Sequence, residues 1–190
     1  MFRKTYITLI CLAFLSSLSY SENYIIDPVH SSVWFKVLHL NISSTYGAFP
    51  EPQGVIYYDP ANPSKSSVEV EVDVSKVNTL NPKRDEHLRS ADFFDVQNYP
   101  KARFKGSVVE KTSDNKYKGK GILNFRGIEK EIEFEVWKVG EGKDRQGEHR
   151  IGFEAGFTIK RSDFGMSKYP PPQISDEVNI TVALEAEKQK

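Results

Sequence analysis

Cysteine is nearly missing from this chain: its 190 residues include one, Cys11. A chain without the segment that carries it could form no disulfide and offer no thiolate to a metal, and would have to stand on core packing alone. An apolar run long enough to span a bilayer is missing too. The longest extends from about Tyr6 to Leu18, short of the roughly 20 residues a helical span needs. Arg3 and Lys4 precede it, and the small-x-small site Ser19-Tyr20-Ser21 follows it. The pattern is that of a secretory signal peptide over residues 1–21, cut after Ser21, which removes Cys11 and leaves no transmembrane segment in the mature chain. Ile10, directly before Cys11, is too bulky for a lipoprotein processing site.

Charge of either sign is not in excess. Lys and Arg number 26, as do Asp and Glu; loss of Arg3 and Lys4 leaves 24 basic groups and a net charge of −2. No basic surplus remains to neutralise a phosphate backbone, so nucleic acid is not an expected partner. Motifs of catalysis are equally scarce. There is no Gly-x-Ser-x-Gly elbow. His30, His39, His87 and His149 form no pair at helix-turn spacing and have no cysteines beside them, so neither a metal nor a cofactor is expected. Asp27, His30 and Ser31 do supply the orienter, base and nucleophile of a hydrolase. Neighbours on an extended strand point to opposite faces, however, which separates His30 from Ser31. The plainer reading gives Asp27 and His30 to hydrogen bonds that pin a corner of the fold.

What the chain has in abundance is alternation. Val33, Phe35 and Val37 share one face of Ser31–Leu40. Tyr46–Asp59 is extended but interrupted by Gly47, Pro50, Pro52 and Gly54, which predicts bends or a bulge at a rim. Val68, Val70, Val72 and Val74 alternate with Glu69, Glu71 and Asp73. The same period runs through Ala102–Val108, Tyr117–Phe125, Glu129–Lys138, Arg150–Lys160 and Glu177–Glu187. About eight one-face-apolar strands predict an all-β fold, an antiparallel sheet closed into an eight-stranded barrel, with residues 22–190 as a single domain. A barrel of that size either fills with side chains or holds one small ligand. Gly106, Gly119, Gly121 and Ala155, interleaved with inward aromatics, are places where no side chain fills the space, although alternating large and small residues also pack a solid barrel.

One stretch breaks the alternation. Asn81–Pro100 reads as a helix capping the mouth, with Asn81 as N-cap, Pro82 at the first helical position and Asp85 and Glu86 in the first turn. Leu88, Ala91 and Phe94 would form its apolar edge, extended by Phe93 and Val96.

Several blocks together resemble the YceI family of exported lipid-binding proteins. They are Asp27-x-x-His30-Ser31 with Val33, Phe35, Val37 and His39; Gly47-x-Phe49; and Arg84-Asp85-x-His87-Leu88-Arg89-Ser90-x-Asp92-Phe93-Phe94-Asp95 with Tyr99-Pro100. Gly121-x-Leu123, Gly127, Arg161-x-Asp163-Phe164-Gly165-Met166 and Asp176-x-Val178 follow in order. The chain departs from the family at Asn124 and Glu129-Lys130-Glu131, where that hairpin is dressed differently. The resemblance implies a lipocalin-like barrel in the periplasm, whose long apolar tunnel holds a polyisoprenoid or similar single-chain lipid, with no catalytic group. It also implies that dimers are common; Trp34, Trp137 and Tyr57 or Tyr58 are the candidates for such a contact.

On that reading Leu88, Phe93 and Phe94 gate the mouth. Phe35, Val37, Val70, Val72, Phe104, Phe134, Val136, Phe153, Phe157, Ile180 and Val182 line the bore. Arg161 either meets a polar head group, a phosphate or quinone oxygen, or pairs with Asp163 or Asp176 to hold its loop. The rival readings are a hydrolase acting on a lipid head group through Asp27, His30 and Ser31, and a packed barrel that serves only as an interaction module on the cell envelope.

Overall fold

The computed structural model describes residues 22–190, so the expected signal peptide lies outside the described residues. The alternating stretches become β1 (Glu22–Ile26), β2 (Ser32–His39), β3 (Ser43–Pro50), β4 (Gln53–Tyr58), β5 (Ser67–Asp73), β6 (Lys101–Ser113), β7 (Lys116–Phe125), β8 (Ile128–Lys143), β9 (His149–Lys160) and β10 (Glu177–Lys188). The helix is α1 (Pro82–Arg89). All strand pairs are antiparallel, and β4 to β10 follow one another except where β1 joins β4 to β10 and closes the ring.

Ten strand segments make eight staves. One edge of β10 follows β9 along its length, while the other takes β2 opposite Asn179–Ala183 and β1 opposite Ala186–Lys188. Thus β1 and β2 are one stave broken around Pro28, and β3 and β4 are another broken at Glu51-Pro52, where Glu51 has φ 55°. Proline supplies no N–H to a ladder, and the second break falls within Tyr46–Asp59, where the sequence predicts bends. At the first break Ser31 takes over the ladder: its hydroxyl accepts from Glu185 N at 3.0 Å and donates to Glu185 O at 3.2 Å.

The glycines do not leave holes. A Cβ on Gly119 would stand 2.2 Å from the Phe134 ring, on Gly47 2.2 Å from the Phe35 ring, and on Gly121 2.5 Å from Phe104 and 2.6 Å from the Lys105 carbonyl. Phenylalanine rings therefore lie down on the spaces these glycines open, which corrects the expectation that such positions stay empty. The bore is set by rings lying against the wall.

The helix is shorter than its sequence pattern suggests. Asn81 caps it as expected, accepting from Arg84 N at 3.1 Å, but it stops at Arg89. There Ser90 Oγ donates to the His87 carbonyl at 2.7 Å and competes with the helical ladder. Residues 90–99 fold as turns, with Phe94 N donating to Leu88 O and Asp95 at φ 51°. The turns carry Phe93 and Phe94, 6% and 7% exposed, to different partners: Phe94 to Phe49 and Phe125, Phe93 to His87 and Tyr169.

Four connections gather at the α1 end of the barrel: the β2–β3 hairpin, residues 74–100, the Arg126-Gly127 turn and residues 161–176. Between β3 and β5 no strand completes the wall. The gap is closed by α1 and by one bridge, in which Ala48 and Asn78 exchange backbone hydrogen bonds of 2.8 and 2.9 Å. The outer faces of β5 to β8 carry ion pairs, Glu71 with Lys101 and Arg103, Glu69 with Lys105 and Lys120 with Glu133. Trp34 is exposed on the outside, whereas Tyr58 is buried and so leaves the set of outward aromatics offered for a dimer contact.

Candidate functional site

The barrel interior holds two chambers with no residue common to their walls. The deep one, about 140 Å³ open to the centre of a water molecule, lies among β2 and β4 to β10, with Pro63 and Ser66 of the β4–β5 connection also on its wall, and is walled almost wholly by hydrocarbon. The mouth chamber, about 360 Å³ by the same measure, lies under α1 and the following turn. The wall passes from one to the other within a single inward step: Val33 to Phe35 on β2, Leu123 to Phe125 on β7, Phe157 to Ile159 on β9 and Val182 to Ile180 on β10.

Every side chain the sequence nominated stands on one of these walls. Val70, Val72, Phe104, Phe134, Val136, Phe153, Phe157 and Val182 line the deep chamber. Phe35, Val37, Leu88, Phe93, Phe94, Ile180 and Arg161 line the mouth. The nominations missed Val33, Leu123 and Leu184, which the alternation could have supplied, and also Tyr58, Tyr117, Tyr169 and Ile174. The last two belong to the Pro-rich loop, where no period marks an inward face.

Phe94 is the hub of the mouth floor. Its ring centroid lies 5.5 Å from Phe49, 5.6 Å from Phe125 and 6.3 Å, edge-on, from Phe35, arrangements that add aromatic attraction to area burial. Phe93 stacks on Tyr169 at 6.3 Å and meets the edge of His87 at 5.0 Å. Asp85 pins α1 to the barrel. Buried, it accepts from Thr79 N at 2.8 Å and Thr79 Oγ1 at 2.6 Å, while Arg84 Nε donates to the same hydroxyl at 2.8 Å.

Arg161 is neither a head-group ligand in reserve nor half of an ion pair. It is 4% exposed, and its guanidinium donates to five carbonyls: Ser175, Met166, Lys168, Tyr169 and Ile174. All five N–H groups are thereby used. Asp176 instead accepts from Ser162, backbone and hydroxyl. Arg161 is the post around which residues 166–175 are wound, and its aliphatic stem is what remains to face the chamber.

The Asp27, His30 and Ser31 group lies at the break between β1 and β2, away from both chambers. Ser31 is committed to the Glu185 backbone, and His30 Nδ1 lies 2.9 Å from Asp27. Asp27, His30 and Glu185 each bring one ligand atom within 4.8 Å of the others. Arg150 Nη1, however, sits 2.6 Å from Asp27 and 3.1 Å from Glu185, so a guanidinium already holds the position a cation would take. Burial raises the Asp27 carboxyl, but hydrogen bonds from His30, Val29 N and Arg150 outweigh it and bring it down to about 2. His30 is raised in turn by Asp27. The stability Asp27 contributes is complete above its ordinary range of about 4 and is lost as pH falls towards about 2. That of His30 is complete below about 6.5 and is lost as pH rises through its elevated value. An NMR titration of the imidazole should therefore place the His30 midpoint above about 6.5 and return it there in Asp27→Asn; an unmoved midpoint would rule out Asp27 as the cause.

A YceI-like domain model matches residues 24–186, nearly everything the structure describes. The chain belongs to the YceI family. It is 36% identical over 171 residues to a UPF0312 protein of Azotobacter vinelandii, covering 89% of this chain and 88% of the relative. Among solved structures it is similar to the YceI protein of Campylobacter jejuni, with a TM-score of 0.71 and 34% identity, covering 80% of this chain and 90% of that one. A polyisoprenoid-binding domain from Saccharophagus degradans implicated in plant cell wall breakdown shares the fold, with a TM-score of 0.67 at 18% identity over 87% of this chain and 98% of that one.

The two densest YceI blocks, His87–Asp95 and Arg161–Met166, meet at the mouth. Arg126 joins them, donating to Ala91 O at 3.2 Å and to Phe164 O at 3.3 Å, and Phe125 packs on both Phe94 and Phe164. In this YceI barrel those two stretches build the entrance, while Asp27, His30 and Ser31 stand at the β1–β2 break and alternation builds the bore.

Proposed function

We propose that the protein is exported to the periplasm, where it holds a long apolar ligand, a polyisoprenoid or quinone-like lipid, for carriage, storage or sequestration. The observation that carries this reading is the pair of in-line chambers, the inner one walled almost entirely by hydrocarbon. Each methylene withdrawn from water there is worth about 0.8 kcal/mol, so a tail of a few isoprene units supplies the affinity without any polar anchor. Membership of the YceI family and the polyisoprenoid-binding domain that shares its fold support the same ligand class.

The chambers also orient the ligand. Polar side chains occur on the mouth wall, at His39, Thr45, Thr79, Arg84 and His87, so the tail goes inward and the polar end stays outside. No covalent step is needed: Ser31 is bonded to the Glu185 backbone and His30 to Asp27, and neither lines a chamber.

Native mass spectrometry of protein purified from its own cells, followed by solvent extraction, tests the reading. One lipid per chain, released intact, is the expected result. An empty protein that co-purifies with another chain, or steady conversion of added lipid to product, would replace it with the interaction module or the enzyme.

A further inference from the structure

The rim of the mouth carries aliphatic side chains that nothing in the fold covers. Ile42 is 82% exposed and Leu80 93%, with Leu38 and Leu40 beside Ile42 on the β2–β3 hairpin each exposed by more than two fifths. The hairpin is not a loose end. Leu40 N donates to Gln173 O at 3.1 Å, Ser175 N to Leu38 O at 2.9 Å, and Ile42 N to His39 O at 2.9 Å. Its register carries His39 and Thr45 onto the wall of the mouth chamber, which Thr79 and Arg84, on either side of Leu80, also line. The exposed aliphatics therefore belong to the same rim as the chamber's opening.

Charge tells what this rim fits. In a chain that is 27% charged, the stretch from Val37 to Pro50 holds no Asp, Glu, Lys or Arg, although the outer faces of β5 to β8 are laced with ion pairs. Lys83 stands exposed three residues from Leu80 with no ion pair among the described residues, and Lys168, paired with Asp92 at 3.3 Å, lies across the mouth. Uncharged aliphatic tips with lysines set behind them match a layer of hydrocarbon beneath a layer of phosphates, where lysine stems lie along apolar matter and their heads reach out. A partner protein would need an apolar groove to receive the tips; a bilayer needs none.

We propose that the mouth rim docks on a lipid bilayer, with Leu40, Ile42 and Leu80 entering its interfacial layer and Lys83 meeting lipid phosphate, so that the mouth chamber opens towards the membrane. The proposal rests on the lipid-binding reading for its purpose but not for its test.

Flotation with vesicles of phosphatidylethanolamine and phosphatidylglycerol supplies that test. The protein should float with the vesicles, and the double variant Ile42→Asp, Leu80→Asp should lose about tenfold or more of the bound fraction, given the apolar area withdrawn from each site. Both positions are on the surface and neither lines a chamber, so the lipid retained by the variant in native mass spectrometry should equal that of the parent. A parent protein that stays in solution, or a variant that floats equally well, overturns the proposal. So does a parent that is dimeric by light scattering and becomes monomeric with Ile42→Asp, because the rim would then serve a second copy of the chain. Vesicle binding as expected with an empty interior would uphold the docking and remove the lipid cargo instead.

Discussion

Replacing Arg161 by leucine is expected to cost about 3–5 kcal/mol of stability, the range for leaving buried polar groups without their partners. The guanidinium is 4% exposed and burial lowers its pKa from the usual value, partly offset by Asp176. It is held in place only because five carbonyls converge on it. Without it, Met166, Lys168, Tyr169, Ile174 and Ser175 would each face an apolar side chain with an unmet lone pair. Arg161→Lys should recover less than half of the loss, since an ammonium is a point charge and cannot reach carbonyls spread around a planar fork. Urea unfolding reads both variants. Had Arg161 been a head-group ligand, the same changes would lower lipid retention at an unchanged unfolding midpoint, and that outcome would restore the assignment this structure removes.

The second large effect concerns the deep chamber. Ala155 lines it from β9, opposite Val136 on β8 and Val182 on β10, with Phe153 and Phe157 two residues to either side. In Ala155→Trp an indole would occupy much of the 140 Å³ now open and exclude the last few methylenes of a tail. At about 0.8 kcal/mol for each of three or four methylenes, affinity should fall on the order of a hundredfold. Overpacking costs about 1–3 kcal/mol, so circular dichroism and the unfolding midpoint must show a folded barrel before the lipid is counted, and Ala155→Leu should give an intermediate loss. A folded tryptophan variant that retained lipid as the parent does would mean that the tail lies elsewhere.

Much of this architecture was readable from the residues because a barrel wall is periodic. Inward positions recur every second residue, so Val70, Val72, Phe104, Phe134, Phe153 and Val182 could be placed before any backbone was known, and Pro52 marks where one stave breaks. The mouth was less legible for a physical reason: its parts are not periodic. Leu88, Ala91 and Phe94 have helical spacing, yet the chain leaves the helix at Ser90 and carries Phe93 and Phe94 inward on turns. Arg161 looked like one side of an ion pair because its neighbours in sequence are acidic, while the carbonyls that hold it come from a loop whose path no pattern reveals. Gly119 and Gly121 looked like vacancies, since the ring that covers a glycine is chosen by the cross-strand register.

The stave made of β3 and β4 holds its neighbour unevenly. Its β4 half is laced to β5 by a ladder, but along the β3 half a single bridge, Ala48 to Asn78, does that work. Loss of this one bridge would leave every ladder of the barrel whole, so hydrogen exchange at Asn78 N and Ala48 N should outpace that of the ladder amides.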